Sequence, residues 1–266
     1  MYYELDGEKI FASNGGVEHK PGQPTIVFVH GAGMDNTIWV LYNRFFARAG
    51  FNTLAIDLPG HGKSAGDALD SVEEMASWLN TLLAHSGLQN ISLVGHSLGS
   101  LVALQAASAG DTIDKLVLLG TACPMPVGEA LLDAARNNRH AAVDMIMLFG
   151  HAYKAQLGGN PVAGIDIVNS SMRLLERALD GTLFIDLNAC NNYGKGLQAA
   201  QNVRASTTLI LGEEDKMTPP ASARDLLEKL ASPELVTLKN CGHMMLSEQP
   251  EQVHRALVHA LEPSES

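Results

Sequence analysis

The chain has 266 residues, a formal net charge of −11, 46% hydrophobic residues and 18% charged ones. That length suits one large domain or a core with a modest insertion, and the apolar fraction is enough to bury a full core, which excludes a disordered chain. The negative balance, with no cluster of lysines or arginines, argues against nucleic acid and against a membrane surface as partners.

The first residues, Met1-Tyr2-Tyr3-Glu4-Leu5-Asp6, have neither a basic segment nor an apolar one, so a secretory signal is not expected. Residues 2–13 read as a hairpin turning at Asp6-Gly7. The run Thr25-Ile26-Val27-Phe28-Val29 is apolar throughout, and a helical pattern occupies 37–49. Next come Thr53-Leu54-Ala55-Ile56 and a helix over 71–85, with Ser71 and Glu74 spaced as a capping box. Ile91-Ser92-Leu93-Val94 is followed by a helix over 97–109, then by Leu116-Val117-Leu118-Leu119. Past Thr208-Leu209-Ile210-Leu211 a helix over 219–230 is expected. Glu234-Leu235-Val236-Thr237-Leu238 is less hydrophobic and suits a sheet edge, and a last helix spans 250–261 with Pro250 in its first turn. Strands apolar on both faces, alternating with amphipathic helices, predict an α/β fold: a mostly parallel central sheet with helices on both faces.

The alternation breaks between Cys123-Pro124 and Val203. Helical patterns fill 130–137, 140–149, 167–179 and 183–192, and Gly158-Gly159-Asn160-Pro161 interrupts them. Residues 1–123 and 203–266 are therefore read as the core, and 124–202 as an all-helical cap, most simply a lid over the strand ends. No stretch of roughly 18 apolar residues is present to span a bilayer. The three cysteines, Cys123, Cys190 and Cys241, form no C-x-x-C pair, so neither a disulfide framework nor a cysteine zinc site is expected. A cytoplasmic location fits these readings.

Gly95-His96-Ser97-Leu98-Gly99 is a G-x-S-x-G pentapeptide between a strand and a helix. Such a turn needs glycine two residues to either side of the serine, because side chains there would collide. A serine hydroxyl is a poor nucleophile until a base takes its proton, and the base needs a third group to hold its tautomer. An open parallel sheet places its site in loops at the C-terminal ends of strands. Asp215 and His243 occupy two such loops, in Gly212-Glu213-Glu214-Asp215 and Asn240-Cys241-Gly242-His243.

Ser97, Asp215 and His243, in that chain order, resemble the triad of the α/β-hydrolase family, in capped members of the esterase and lactonase kind. His30-Gly31-Ala32-Gly33 is similar to that family's oxyanion loop, and Asp57-Leu58-Pro59-Gly60-His61-Gly62-Lys63-Ser64 to the turn after its next strand. The resemblance implies catalytic roles for Ser97, Asp215 and His243, and an oxyanion hole formed by the backbone N–H groups of Ala32 and Leu98. Some relatives carry the acid after the preceding strand, but Gly120-Thr121-Ala122 has no carboxylate there.

Other histidines compete weakly with His243. His30 and His61 lie in glycine turns and brace loops on this reading. His96 faces away from Ser97 by strand alternation, and His140 and His151 fall in the insertion. No H-x-x-x-H or H-E pattern points to a metal, and no cofactor is expected. Gly60-His61-Gly62-Lys63-Ser64 ends like a phosphate-binding loop, but Asp57 stands where that loop begins with glycine. Methionines crowd the catalytic loops; Met34, Met125, Met217 and Met244 are candidates to line an apolar, adaptable pocket.

The function expected is hydrolysis of a carboxylic ester, or of a thioester, lactone or amide, of a small to medium, largely apolar molecule through an acyl-enzyme. Two alternatives stay open. The same fold and triad could serve carbon–carbon bond hydrolysis, a lyase reaction or cofactor-free peroxidase chemistry, or the pocket could bind a small ligand with little turnover.

Overall fold

The computed structural model describes residues 1–159, 161–162 and 164–261. The hairpin β1 (Tyr2–Leu5) and β2 (Glu8–Ser13) turns at Asp6 and Gly7, both at positive φ, as the twist of a two-residue hairpin requires. Strand β3 (Thr25–Val29) leads through a 3-10 turn (Asn36–Trp39) into α1 (Val40–Arg48). Then follow β4 (Asn52–Ile56), α2 (Val72–Ser86), β5 (Ile91–His96), α3 (Leu98–Ala107) and β6 (Ile113–Leu119). Between β6 and β7 lie α4 (Glu129–Asn137), α5 (Arg139–Gly150), α6 (Tyr153–Gln156), α7 (Ile167–Glu176), α8 (Thr182–Asn192) and α9 (Gly196–Asn202). The chain ends with β7 (Ser206–Gly212), α10 (Arg224–Lys229), β8 (Glu234–Leu238), α11 (Met245–Glu248) and α12 (Pro250–Leu261).

The sheet order is β1-β2-β4-β3-β5-β6-β7-β8. Strand β2 runs antiparallel to β1 and β4, and the pairs from β4 to β8 are parallel. The continuous apolar runs are explained by cover on both faces. Val27, Leu93, Leu116, Leu118 and Leu209 pack with α2 and α3, whereas Phe28, Val94, Val117 and Ile210 pack with α1 and α12. The weaker pattern of β8 is that of an edge strand, with only Leu238 fully buried. Ser71 caps α2 as its spacing predicted, its Oγ accepting from the Glu74 N–H at 3.3 Å.

Helix α7 stops at Glu176, short of the expected 179, and α6 and α9 are too short to show a period in sequence. In the interrupting segment Gly158 takes positive φ; Asn160 lies outside the described residues, as do 262–266 of the expected core segment. The inserted helices have their own apolar cluster of Ala135, Val143, Ile146, Leu175, Leu183 and Leu187, into which Met34 and Met244 reach from the core. Ala189, Cys190, Tyr193 and Ala199 join the main core instead. The chain thus returns to the sheet within α8, ahead of residue 203.

Candidate active site

The turn from β5 into α3 forces Ser97 to φ +54°, ψ −121°, a conformation non-glycine residues adopt only where surroundings over-determine it. Those surroundings are visible. The Ser97 N–H donates to the Leu119 carbonyl at 2.9 Å, and the Ser97 carbonyl accepts from the Ser100 N–H at 2.8 Å and the Ser100 Oγ at 2.6 Å. A Cβ on Gly95 would overlap the Gly99 carbonyl oxygen, and one on Gly99 would lie 2.5 Å from the His30 carbonyl oxygen. Both glycines are therefore demanded by backbone contact.

His243 follows β8 and Asp215 follows β7, so adjacent strands deliver both. His243 Nδ1 lies 2.8 Å from Asp215 Oδ2, and both residues are buried. Asp215 Oδ1 accepts from the N–H groups of Met217 and Thr218 at 2.9 and 2.8 Å, and Oδ2 also accepts from Thr218 Oγ1 at 2.7 Å. Burial alone would raise the pKa of this carboxyl, but the His243 ring and these donors hold it below the usual carboxylate value. An ionised carboxylate only accepts, so Nδ1 carries the imidazole proton and Nε2 is left as an acceptor.

Ser97, His243, Ala32 and Thr218 line one cavity of ≈260 Å³. Met34, Met125, Met217 and Met244 line it too, with Leu131, Ile146, Phe149 and Leu187 from the inserted helices. Among the described residues its wall holds one lysine, Lys216, and no arginine. Among the described residues the backbone N–H groups of Ala32 and Leu98 meet no protein acceptor. No group of three or more potential metal ligands gathers among the described residues, and no helix among them is long and apolar enough to cross a membrane.

Several residues that sequence reasoning did not assign to the site hold it together. Thr218 is one, and its position three after Asp215 is the local spacing at which a carboxylate collects backbone N–H groups. His96 Nε2 donates to the His243 carbonyl oxygen at 2.9 Å; burial keeps this ring neutral, its pKa lowered to about 3. Asp186 in α8 accepts from the Gly33 N–H at 2.7 Å and from His61 Nε2 at 2.8 Å, so an inserted helix grips the loop that carries Ala32. The signal was a lone carboxylate in the apolar run Leu183-Phe184-Ile185-Asp186-Leu187. Glu248 had no such signal. It is buried, and its Oε2 accepts from the N–H groups of Ala152 at 2.9 Å and Gly242 at 3.1 Å.

The two glycine-turn histidines sit in opposite electrostatic surroundings. His30 Nδ1 donates to the Gly31 carbonyl and Nε2 accepts from the Leu58 N–H; burial lowers its pKa to about 4. His61 faces acceptors at both nitrogens, the Pro59 carbonyl and Asp186. Burial opposes its charge, but the Asp186 carboxylate prevails and raises the pKa. Asp57, at the start of the expected near-miss phosphate loop, is occupied by Asn36 and by the Lys63 N–H.

Comparison with known proteins agrees with this architecture. Over 276 aligned positions, 97% of this chain, it is 25% identical to 67% of a dihydrolipoyllysine-residue acetyltransferase component of an acetoin cleaving system from Cupriavidus necator. A 2-succinyl-6-hydroxy-2,4-cyclohexadiene-1-carboxylate synthase of Escherichia fergusonii is 40% identical over 91 residues, but the match spans only 34% of this chain and 35% of that protein. Among solved structures, the enol-lactonase from Burkholderia xenovorans LB400 superposes with a TM-score of 0.85 at 20% identity, covering 98% of this chain and 99% of its own. The esterase from Exiguobacterium antarcticum gives 0.84 at 20% identity, with 97% of each chain covered. At such identity these two speak to the fold alone. The model of the alpha/beta hydrolase family matches residues 26–256, a span running from β3 through the loops of Ser97, Asp215 and His243 into α12, and the chain belongs to that family.

Proposed function

We propose that the protein hydrolyses a carboxylic ester, or a thioester, lactone or amide, of a small to medium, largely apolar molecule through an acyl-enzyme on Ser97. The observation that carries this reading is convergence. A serine held at positive φ on a strand-to-helix turn shares one apolar cavity with a histidine whose far nitrogen is bonded to a buried carboxylate.

In this mechanism Ser97 Oγ attacks the substrate carbonyl carbon as its proton passes to His243 Nε2. Asp215 holds the ring in the required tautomer and stabilises the imidazolium that forms. The N–H groups of Ala32 and Leu98 receive the negative charge on the carbonyl oxygen; donors of this kind typically contribute about 10²–10³ in kcat. The bond to the leaving group breaks as Nε2 returns the proton to it. Water then adds to the acyl carbon, its proton passing to Nε2, and the acid leaves as Ser97 Oγ takes that proton back. The largely apolar lining supports an uncharged substrate: among the described residues Lys216 is its one cation, and no arginine offers the two-pronged grip that a carboxylate or phosphate favours.

The test is labelling of purified protein with a fluorophosphonate, with Ser97→Ala as control, followed by turnover of a panel of esters. Labelling of the wild type alone, with ester turnover, is the expected result. Failure to label Ser97 overturns the reading.

A further inference from the structure

A second cavity of ≈390 Å³ shares two lining residues, Met34 and Met244, with the catalytic one. Its walls come from the 3-10 turn and α1 (Ile38, Leu41), from α7 (Leu174) and from α11 (Leu246). Met34 and Met244 border both spaces and are themselves buried. We propose, building on the ester reading above, that an uncharged aliphatic chain of the substrate runs between Met34 and Met244 into this second cavity, and that these methionines set the chain length accepted.

Three observations support that occupant. At ≈260 Å³ the catalytic cavity is smaller than the roughly 300–1,000 Å³ usual for small-molecule sites, whereas the two spaces together fall inside that range. The residues the two cavities share are both methionines, whose unbranched, flexible side chains can shift to join the two spaces. The second cavity is also electrically balanced. Arg173 and Arg177 on its wall are already paired with Glu176 and Asp35, and His96 at its floor is held neutral by burial. An anionic head group would find no free partner among these, so an uncharged chain fits best.

The test uses two series: aryl esters of straight-chain acids from acetate to dodecanoate, and acetates of straight-chain alcohols of matching length. One series tracks a chain on the acyl side, the other a chain on the alcohol side. In the wild type, kcat/KM should rise with length in one series, by about fourfold for each buried methylene. Leu174→Trp fills the second cavity and should lower the ratio of long-chain to short-chain kcat/KM at least tenfold; Ile38→Trp should repeat this from the opposite wall. Met244→Ala removes one of the two shared side chains and should raise the ratio several-fold, whereas the volume-conserving Met244→Leu should leave the profile in place.

Ratios within twofold of wild type in both series, for Leu174→Trp, Ile38→Trp and Met244→Ala alike, overturn the proposal. If no ester is turned over, the ester reading fails, and the cavity is tested separately by calorimetric titration of Ser97→Ala protein with dodecan-1-ol. There the added Leu174→Trp should weaken binding at least tenfold. Binding that is absent, or equal with and without that substitution, counts against the second cavity.

Discussion

Replacing Glu248 by glutamine should alter the pH dependence of stability, and the size of the change follows from where the carboxyl sits. Glu248 is 1% exposed, its Oε2 accepts from two backbone N–H groups, and its Oε1 is buried without a partner. Burial dominates and raises its pKa from 4.5 to about 7; the two N–H donors and His243 pull it down, and the Asp215 charge adds to the rise. Below pH 4.5 both folded and unfolded chains hold the proton, and the group gives no pH dependence. Between 4.5 and 7 the unfolded chain releases it while the folded one keeps it, so stability falls as pH rises. Above 7 the whole penalty is present, about 3 kcal/mol at roughly 1.4 kcal/mol per pKa unit.

Glutamine keeps the shape and an acceptor for the two N–H groups but cannot ionise. Its amide places a donor where Oε1 has no partner, at a cost of about 1–3 kcal/mol that does not change with pH. The expected outcome in urea unfolding is a variant weaker than wild type at pH 5 that draws level or overtakes it by pH 8. Part of the penalty is already present at pH 5, so the difference in stability between the two pH values should be about 2–3 kcal/mol larger for wild type than for the variant. Equal pH slopes would refute the reasoning, because they would mean that Glu248 ionises in the folded protein as it does in water.

Asp186→Ala strands the Gly33 N–H and the buried His61, so urea unfolding should show a loss of about 3–5 kcal/mol. Surviving enzyme should show a drop in kcat larger than any rise in KM, since Gly33 adjoins the Ala32 donor. Thr218→Val removes one donor to Asp215 while leaving the backbone donors in place; at about 1.5 kcal/mol for a hydrogen bond to a charged group, kcat/KM should fall about tenfold. Gly95→Ala sets a Cβ against the Gly99 carbonyl, and fluorophosphonate labelling of Ser97 should slow at least a hundredfold. A Gly95→Ala protein that labels at the wild-type rate would show that the turn tolerates displacement of its backbone.

The parallel sheet was legible because its inner strands, β3 to β7, are buried on both faces, which writes itself as an uninterrupted apolar run such as Ile91-Ser92-Leu93-Val94. The turn that carries Ser97 was legible because backbone contact at Gly95 and Gly99 excludes every side chain. Asp215 could be placed because its loop follows the continuous apolar run of β7, whereas His243, after the weaker edge strand β8, was placed by chain order and the family resemblance. What escaped detection depends on residues far apart in the chain. Asp186 meets Gly33 and His61 across more than a hundred residues, and nothing local marks a helix carboxylate as the partner of a loop amide. Glu248 sits in Ser247-Glu248-Gln249-Pro250-Glu251, a composition that reads as solvated surface; only the packing of Gly242 and Ala152 around it makes it buried. Helices α6 and α9 were missed for a simpler reason, being too short for periodicity to emerge.

These long-range contacts share a direction. Asp186 from α8 holds the Gly33 end of the loop that carries Ala32, the Gly150 carbonyl at the end of α5 accepts from the Met244 N–H at 2.9 Å, and the Ala152 N–H meets the same Glu248 oxygen as the Gly242 N–H. The inserted helices are thus bonded at separate points to the two loops that present Ala32 and His243. Displacing the insertion as a whole would break bonds to both loops at once, disturbing the positions of Ala32 and His243 together. On the mechanism proposed above, the insertion would bear on substrate choice through its lining of the cavity and on rate through these bonds. Comparing kcat with KM for Asp186→Ala against Leu174→Trp separates the two effects, because the first cuts a bond to the loop that carries Ala32 and the second only fills space.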